Sequence, residues 1–181
     1  MKKERILVLA ITQSLIALST GMLGPVYAIY FERIVGNISL VALIIGIYWI
    51  IVGVFELLLS HLIDKFGKSK MFVMGGIISS FAILLYPMVK DLVSLVFVEV
   101  INAIGYSFQV PAFFSLLAEV TSRKKRGKEI GFIDSFWNIG YGISAIFSSI
   151  LISIFGLSFI FFVASFFNGI SSFLVRKKID I

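Results

Sequence analysis

The chain has 181 residues, of which 59% are hydrophobic and 14% charged, and it contains no cysteine. An ordinary soluble domain carries about 25% charged and roughly 45–50% apolar residues, so a water-facing surface built from this composition, with 19 Phe among it, would expose large apolar patches. A soluble globular enzyme is thereby all but excluded, as are a disulfide framework, a thiolate nucleophile and a sulfur-ligated metal centre, and the net charge of +6 is read from where the basic residues sit.

A helix crossing a hydrocarbon core of about 30 Å needs roughly 20 mostly apolar residues. Six stretches meet that length, predicting an all-α polytopic membrane protein folded as a single six-helix transmembrane domain over residues 1–181. The first span, Ile6 to Phe31, follows Lys2, Lys3 and Arg5. It is longer than a signal-peptide core and has no small-residue cleavage site, so it reads as a retained span. Gln13, Ala17, Thr20 and Gly24 give it a weakly polar face. The second, Leu40 to Ile63, carries Gly46, Trp49, Gly53, Glu56 and Ser60 at steps of three and four, leading to Asp64 beyond its end. Span three, Met71 to Val89, holds no charge and reads as lipid-facing.

Span four, Leu92 to Leu117, places Glu99, Asn102, Tyr106, Gln109 and Phe113 on one face by the same spacing. Span five, Ile130 to Ile154, carries Asp134, Asn138, Tyr141 and Ala145. Span six, Leu157 to Val175, is charge-free like span three. Charges inside a bilayer face the protein interior or a water-filled cavity, so Glu56, Glu99 and Asp134 are the acids of interest. Glu56 lies about 12 Å inside its span and reads as protonated, salt-bridged or proton-carrying. Asp134, near the span's end, reads first as an interfacial partner of the neighbouring basic loop and second as a cavity residue. The span-four stripe reads as a cavity lining in preference to a dry helix seam, for which small and amide residues are also suited.

All but Arg33 and Lys90 of the 16 Lys and Arg residues fall at the amino terminus, in the loops after spans two and four, and in the tail Arg176 to Lys178. The positive-inside rule then places both termini in the cytoplasm. It also makes the cluster Arg123, Lys124, Lys125, Arg126 and Lys128 a topogenic loop and not a nucleic-acid patch. Pro25 and Pro111 stand near the twentieth residue of the first helix of each triplet. Each triplet ends in a charge-free helix, and three being odd, the second triplet runs in the opposite sense as a 3+3 inverted repeat.

The loop after span two, Ser60 to Lys70 with Asp64, Lys65, Gly67 and Lys68, resembles the signature turn between the second and third helices of the major facilitator superfamily. Gly67 permits the reversal and Asp64 can cap or face a helix amino terminus. Arg126, Gly127 and Gly131 resemble the start of that family's fifth helix. Gly140, Ser144, Ala145, Ser148 and Ser149 keep the small-residue packing pattern of its drug-efflux antiporter branch, to which the resemblance is closest, without its proline. Gly105 aligns with the glycine of a fourth-helix motif whose arginine and glutamine positions are occupied by Ile101 and Ile104, and the family links that arginine to proton coupling. The resemblance implies half of a twelve-helix permease: a secondary active transporter of small molecules in the plasma membrane, working as a homodimer or with a second six-helix chain, without cofactor or metal. The alternative is a non-transporting membrane subunit or a truncated remnant of a twelve-helix protein. No Gly-x-Ser-x-Gly elbow, His-Glu-x-x-His or phosphate loop occurs, and His61 is the sole histidine, so no enzyme is expected.

Overall fold

In the computed structural model, residues 2–179 are described, with side chains to Val175; Met1, Asp180 and Ile181, and the tail side chains of Arg176, Lys177 and Lys178, lie outside the described set. The helices are α1 (Lys2–Val35), α2 (Ile38–Phe66), α3 (Lys68–Leu85), α4 (Leu92–Val120), α5 (Arg126–Phe155) and α6 (Leu157–Ile179). Among the described residues there is no strand, and each of the six is long and apolar enough to cross a membrane. Except for span three, the predicted spans fall inside these helices, most of which extend about a turn beyond them.

The ends follow local chemistry. Asn37 caps α2, its side-chain oxygen accepting from the Ser39 backbone N–H at 2.8 Å. Asp91 and Ser94 form a capping box at α4, and those hydrogen bonds hold the exposed Asp91 carboxyl below the usual carboxylate range. Span three was predicted to run to Val89, but the α-helix stops at Leu85. Pro87 supplies no N–H, and a short 3-10 turn, Tyr86–Met88, completes the segment.

The inverted repeat is visible in the packing. α1 lies against α5 and α6, α4 against α2 and α3, and α3 against α6. Exchanging α1 with α4, α2 with α5 and α3 with α6 returns the same set of contacts, as a pseudo-two-fold axis requires. The second and third helices of each triplet are joined by one glycine with a left-handed backbone, Gly67 at φ 97° and Gly156 at φ 81°, a conformation that side chains with a Cβ resist.

Small residues set the seams. A Cβ on Gly105 of α4 would come 2.5 Å from the Ser79 backbone nitrogen of α3, and one on Gly140 of α5 would meet the Ala17 side chain of α1 at 3.2 Å. Serines tie the crossings: Ser107 Oγ donates to the Val52 carbonyl at 3.2 Å, and Ser144 Oγ to the Ala17 carbonyl at 3.2 Å. Two apolar clusters fill the bundle, one around Tyr30, Phe31, Tyr86 and Phe161 and the other around Leu9, Phe72, Phe113 and Val175.

The charge-free helices are not simply lipid-facing. α3 turns Met74, Ile77, Phe81 and Leu84 outward, and α6 turns Phe162, Phe166 and Phe173 outward, while each buries an opposite face rich in serine. α2 and α5 are the least buried helices in the bundle.

Candidate functional site

A cavity of about 690 Å³ opens among α1, α2, α4 and α5, with α3 and α6 behind it. All five members of the span-four stripe line it: Glu99, Asn102, Tyr106, Gln109 and Phe113. α1 contributes Gln13, Thr20, Gly24 and Tyr27, α2 Tyr48 and Trp49, and α5 Asp134, Trp137 and Tyr141. Among the described residues no Lys or Arg lines it. Rings dominate the walls, with Trp49 edge-on to Tyr106 at 5.5 Å and Trp137 stacked on Tyr141 at 5.1 Å.

The polar groups are organised from behind. Glu99 is 7% exposed, and one carboxyl oxygen accepts the Tyr86 hydroxyl at 2.5 Å. Tyr86, in the 3-10 turn, is held in turn by the Tyr30 hydroxyl, which donates to its carbonyl at 2.7 Å. Asn102 accepts from Ser79 Oγ at 2.7 Å and donates to Tyr86 Oη at 3.5 Å. Deeper, Gln109 Nε2 donates to Asn168 Oδ1 at 3.2 Å, and Asn168 Nδ2 donates to Ser80 Oγ at 3.1 Å and to the Gly76 carbonyl at 3.3 Å. With its N–H₂ engaged by Asn168, Gln109 has its carbonyl oxygen left to serve as an acceptor. The Glu99 carboxyl and the amide oxygens make this wall an acceptor of hydrogen bonds.

Sequence reasoning missed Tyr86 and Asn168. Asn168 does have a signal, since Ser165, Asn168 and Ser172 recur at steps of three and four on α6; the charge-free composition of that span masked it. Tyr86 has none, because its role comes from the break at Pro87.

The other predicted residues go elsewhere. Glu56 is half-buried in a shallow groove on α2 with Trp49, Gly53, Ser60 and Pro111, outside the main cavity. Asp134 lines the cavity but, among the described residues, forms no ion pair with the basic loop. Its partner is Asn138, whose Nδ2 donates to Asp134 Oδ2 at 3.1 Å; Asn138 itself is exposed and outside the cavity lining. In the loop motif, Asp64 and Lys65 are exposed and no side chain caps α3. Lys68 bridges to Glu119 at the end of α4 at 2.8 Å, an exposed pair of small energetic weight. Of the packing residues, Gly140, Ser144 and Ser148 are buried and Ala145 is half-buried. Gly131 is exposed with open space around it, outside the seam.

Arg126 closes α4, donating to the Thr121 hydroxyl at 3.3 Å and the Ala118 carbonyl at 3.2 Å. Glu129 accepts from the Ser122 backbone N–H at 2.7 Å and pairs with Lys2 at 3.1 Å. These contacts gather the amino terminus, the α2–α3 turn and the α4–α5 loop at one end of the bundle.

A family model described as the Major Facilitator Superfamily matches residues 9–179. An uncharacterized MFS-type transporter of Methanocaldococcus jannaschii is 22% identical over 178 residues, covering 98% of this chain and 46% of that protein. The multidrug resistance protein MdtG of Escherichia coli is 28% identical over 189 residues, and that of Salmonella schwarzengrund 28% over 187; they cover 98% and 97% of this chain and 46% of each relative. The chain spans about half the length of the curated relatives it matches. The match runs through all six helices and agrees with the interleaved triplets of the fold: the chain belongs to the major facilitator superfamily.

Proposed function

We propose that this chain is one six-helix body of a secondary active transporter of small molecules, set in the cell membrane with both termini in the cytoplasm and working against a second six-helix body. The observation that carries the reading is the cavity: about 690 Å³ walled by rings, with the Glu99 stripe on one side and, among the described residues, no basic lining residue. That volume lies in the range of small-molecule sites. Buried acid and amide groups of this kind mark solute pathways in membrane proteins, and the absence of a lining cation favours cationic or neutral amphipathic solutes over anions. The description of two relatives as multidrug resistance proteins supports an efflux direction.

The second body is supported by what α2 and α5 leave uncovered. Ile50, Leu57 and Leu58 on α2 and Ile139, Ile146 and Ile154 on α5 are exposed, and alternating access is a motion of one bundle against another around a fixed site. The charge pattern of the turn, Asp64 to Lys68, serves in this reading as the cytoplasmic gate, with Asp64 exposed and able to contact the second body.

Uptake of a fluorescent monovalent amphipathic cation into inside-out vesicles tests the proposal. Glu99→Gln and Asp64→Asn are each expected to lower transport at least tenfold while leaving membrane insertion unchanged. Vesicles that move an amphipathic anion and exclude the cation, or variants that transport normally, would defeat it.

A further inference from the structure

Gln109 stands at the end of a hydrogen-bonded chain whose polarity is set by the backbone. In the seam of α3, α4 and α6 the Gly76 carbonyl can only accept, and the Ser80 hydroxyl spends its one proton on that carbonyl at 2.7 Å. Two acceptors therefore face Asn168, whose Nδ2 donates to Ser80 Oγ at 3.1 Å and to the Gly76 carbonyl at 3.3 Å. Its Oδ1 is left to accept from Gln109 Nε2 at 3.2 Å. Turning Asn168 over would set its oxygen against the Gly76 carbonyl, and turning Gln109 over would set two amide oxygens against each other. Either change leaves buried acceptors unpaired, the two side chains belonging to residues 3% and 4% exposed.

The nitrogen end of Gln109 is also its packed end. α3 meets α4 through two adjacent glycines: a Cβ on Gly75 would come 2.5 Å from the Gln109 backbone nitrogen, and one on Gly76 would come 2.9 Å from Gln109 Nε2. The amide nitrogen thus lies in the seam, against bare backbone. Gln109 nevertheless lines the cavity. Its Oε1 takes no hydrogen bond among the described residues, yet it is not one of the side-chain atoms enclosed without a partner, which are the hydroxyl oxygens of Thr12, Ser19 and Ser69. The oxygen is open to whatever occupies the cavity.

A fixed acceptor beside a bound solute discriminates between solutes. One that brings a hydroxyl or an N–H group replaces the water it displaces from the oxygen, whereas one without a donor displaces that water and returns no bond. Sites that present a polar group in a set orientation reject the analogue lacking its partner far more sharply than apolar walls reject a change of size.

We propose that Asn168 is a positioning residue: it holds the Gln109 N–H₂ in the seam so that the Gln109 carbonyl oxygen meets the solute, and the cavity thereby selects solutes carrying a hydroxyl or N–H donor over solutes of equal charge that carry none. The inference rests on the reading of the cavity as a site for amphipathic solutes and adds the feature of the solute that α4 recognises. Without Asn168 the Gln109 amide can turn over and present either end, and the preference for a donor disappears.

The test is equilibrium binding to the purified full chain in lipid nanodiscs, read by tryptophan fluorescence, since the two tryptophans of the chain, Trp49 and Trp137, both line the cavity. The probes are a quaternary ammonium amphiphile ending in a hydroxyl and its O-methyl ether, equal in charge and one donor apart. The unaltered chain is expected to bind the hydroxyl probe about fivefold or more tightly than the ether. Asn168→Leu is expected to reduce that ratio below about twofold by weakening the hydroxyl probe, and Gln109→Met to do the same. The double variant should lose no more than either alone, because the two residues act on one oxygen. An Asn168 that served only to hold the helices together would weaken both probes equally and preserve the ratio. That result, equal affinity of the unaltered chain for the two probes, or no binding of either, would overturn the inference. Should leucine prevent insertion, Asn168→Ala carries the same expectation, and a ratio kept there would overturn it too. Uptake of the hydroxyl probe into inside-out vesicles separates the two readings. Discriminating binding without uptake would defeat the transport reading and leave this one standing, and uptake with equal affinities would do the reverse.

Discussion

At the level of single residues, the chemistry of the cavity depends on groups that do not face it. Glu99 owes its place to Tyr86, whose hydroxyl is fully buried and whose own carbonyl is pinned by Tyr30. Tyr86 in turn sits beside the rings of Tyr27 at 5.5 Å and Phe161 at 5.2 Å, so the aromatic cluster that closes this end of the bundle also aims the carboxylate. Tyr86→Phe keeps the ring packing and deletes one donor to a buried acceptor. Leaving such an acceptor unsatisfied costs about 1–3 kcal/mol, and the melting temperature of the purified protein should fall by several degrees. A melting temperature equal to that of the unaltered chain would mean that the bond contributes nothing and that Glu99 finds another donor. The same logic explains why Tyr86 could not be read from the sequence. A stripe announces itself by period, as Glu99, Asn102, Tyr106 and Gln109 do, whereas a residue made important by a helix break at Pro87 has no period to show.

At the level of helices, periodicity and length were enough to locate all six spans and to group the five stripe residues of α4 that line the cavity, because both are local properties of the chain. What local reading misjudged was α3 and α6. A helix without charges looks uniform in composition, yet α3 divides into an outward stripe of Met74, Ile77, Phe81 and Leu84 and an inward stripe containing Ser79 and Ser80. The inward stripe closes on Asn168 of α6, a pairing between residues 88 positions apart that no window along the sequence can see. The Glu56 stripe of α2 divides for a related reason, with Trp49 lining the cavity and Glu56 outside it. Its spacing marks one face correctly, but spacing alone does not say whether that face meets its own bundle or looks away from it. These assignments make a direct accessibility prediction. Single cysteines at 102, 106 and 109 should react with a small water-soluble thiol reagent in intact membranes, since lipid cannot satisfy the polar groups of that wall. Cysteines at 77, 81 and 84, on the outward stripe of α3, should remain unlabelled. Equal protection of all six positions would make the cavity a dry seam and remove the main support for transport.

At the level of the whole molecule, orientation depends on how the two ends of the bundle differ. The contacts of Lys68 with Glu119 and of Lys2 with Glu129 draw the amino terminus, the α2–α3 turn and the α4–α5 loop together. That end collects Lys2, Lys3, Arg5, Lys65, Lys68, Lys70 and the run from Arg123 to Lys128, while the opposite end has Arg33 and Lys90. Glu32 and Asp91 stand next to those two, so the opposite end offers the membrane surface little net positive charge. Lys and Arg within about 15–20 residues of a span decide which loops stay behind during insertion, and here every short basic loop argues for the same side. The fold adds a constraint the charge count lacks. With only Gly67 between α2 and α3 and Gly156 between α5 and α6, neither hairpin can invert alone without pulling its neighbour through the bilayer. The orientation is therefore all or none. Cysteines placed at Asn37 and Lys90 should label from outside intact cells, and one at Ser122 should label only after permeabilisation. Labelling of all three from outside would mean a mixed population of orientations. Reversal of the pattern would put the basic loops outside, and the assignment of Asp64 and Gly67 to a cytoplasmic gate would fall with it.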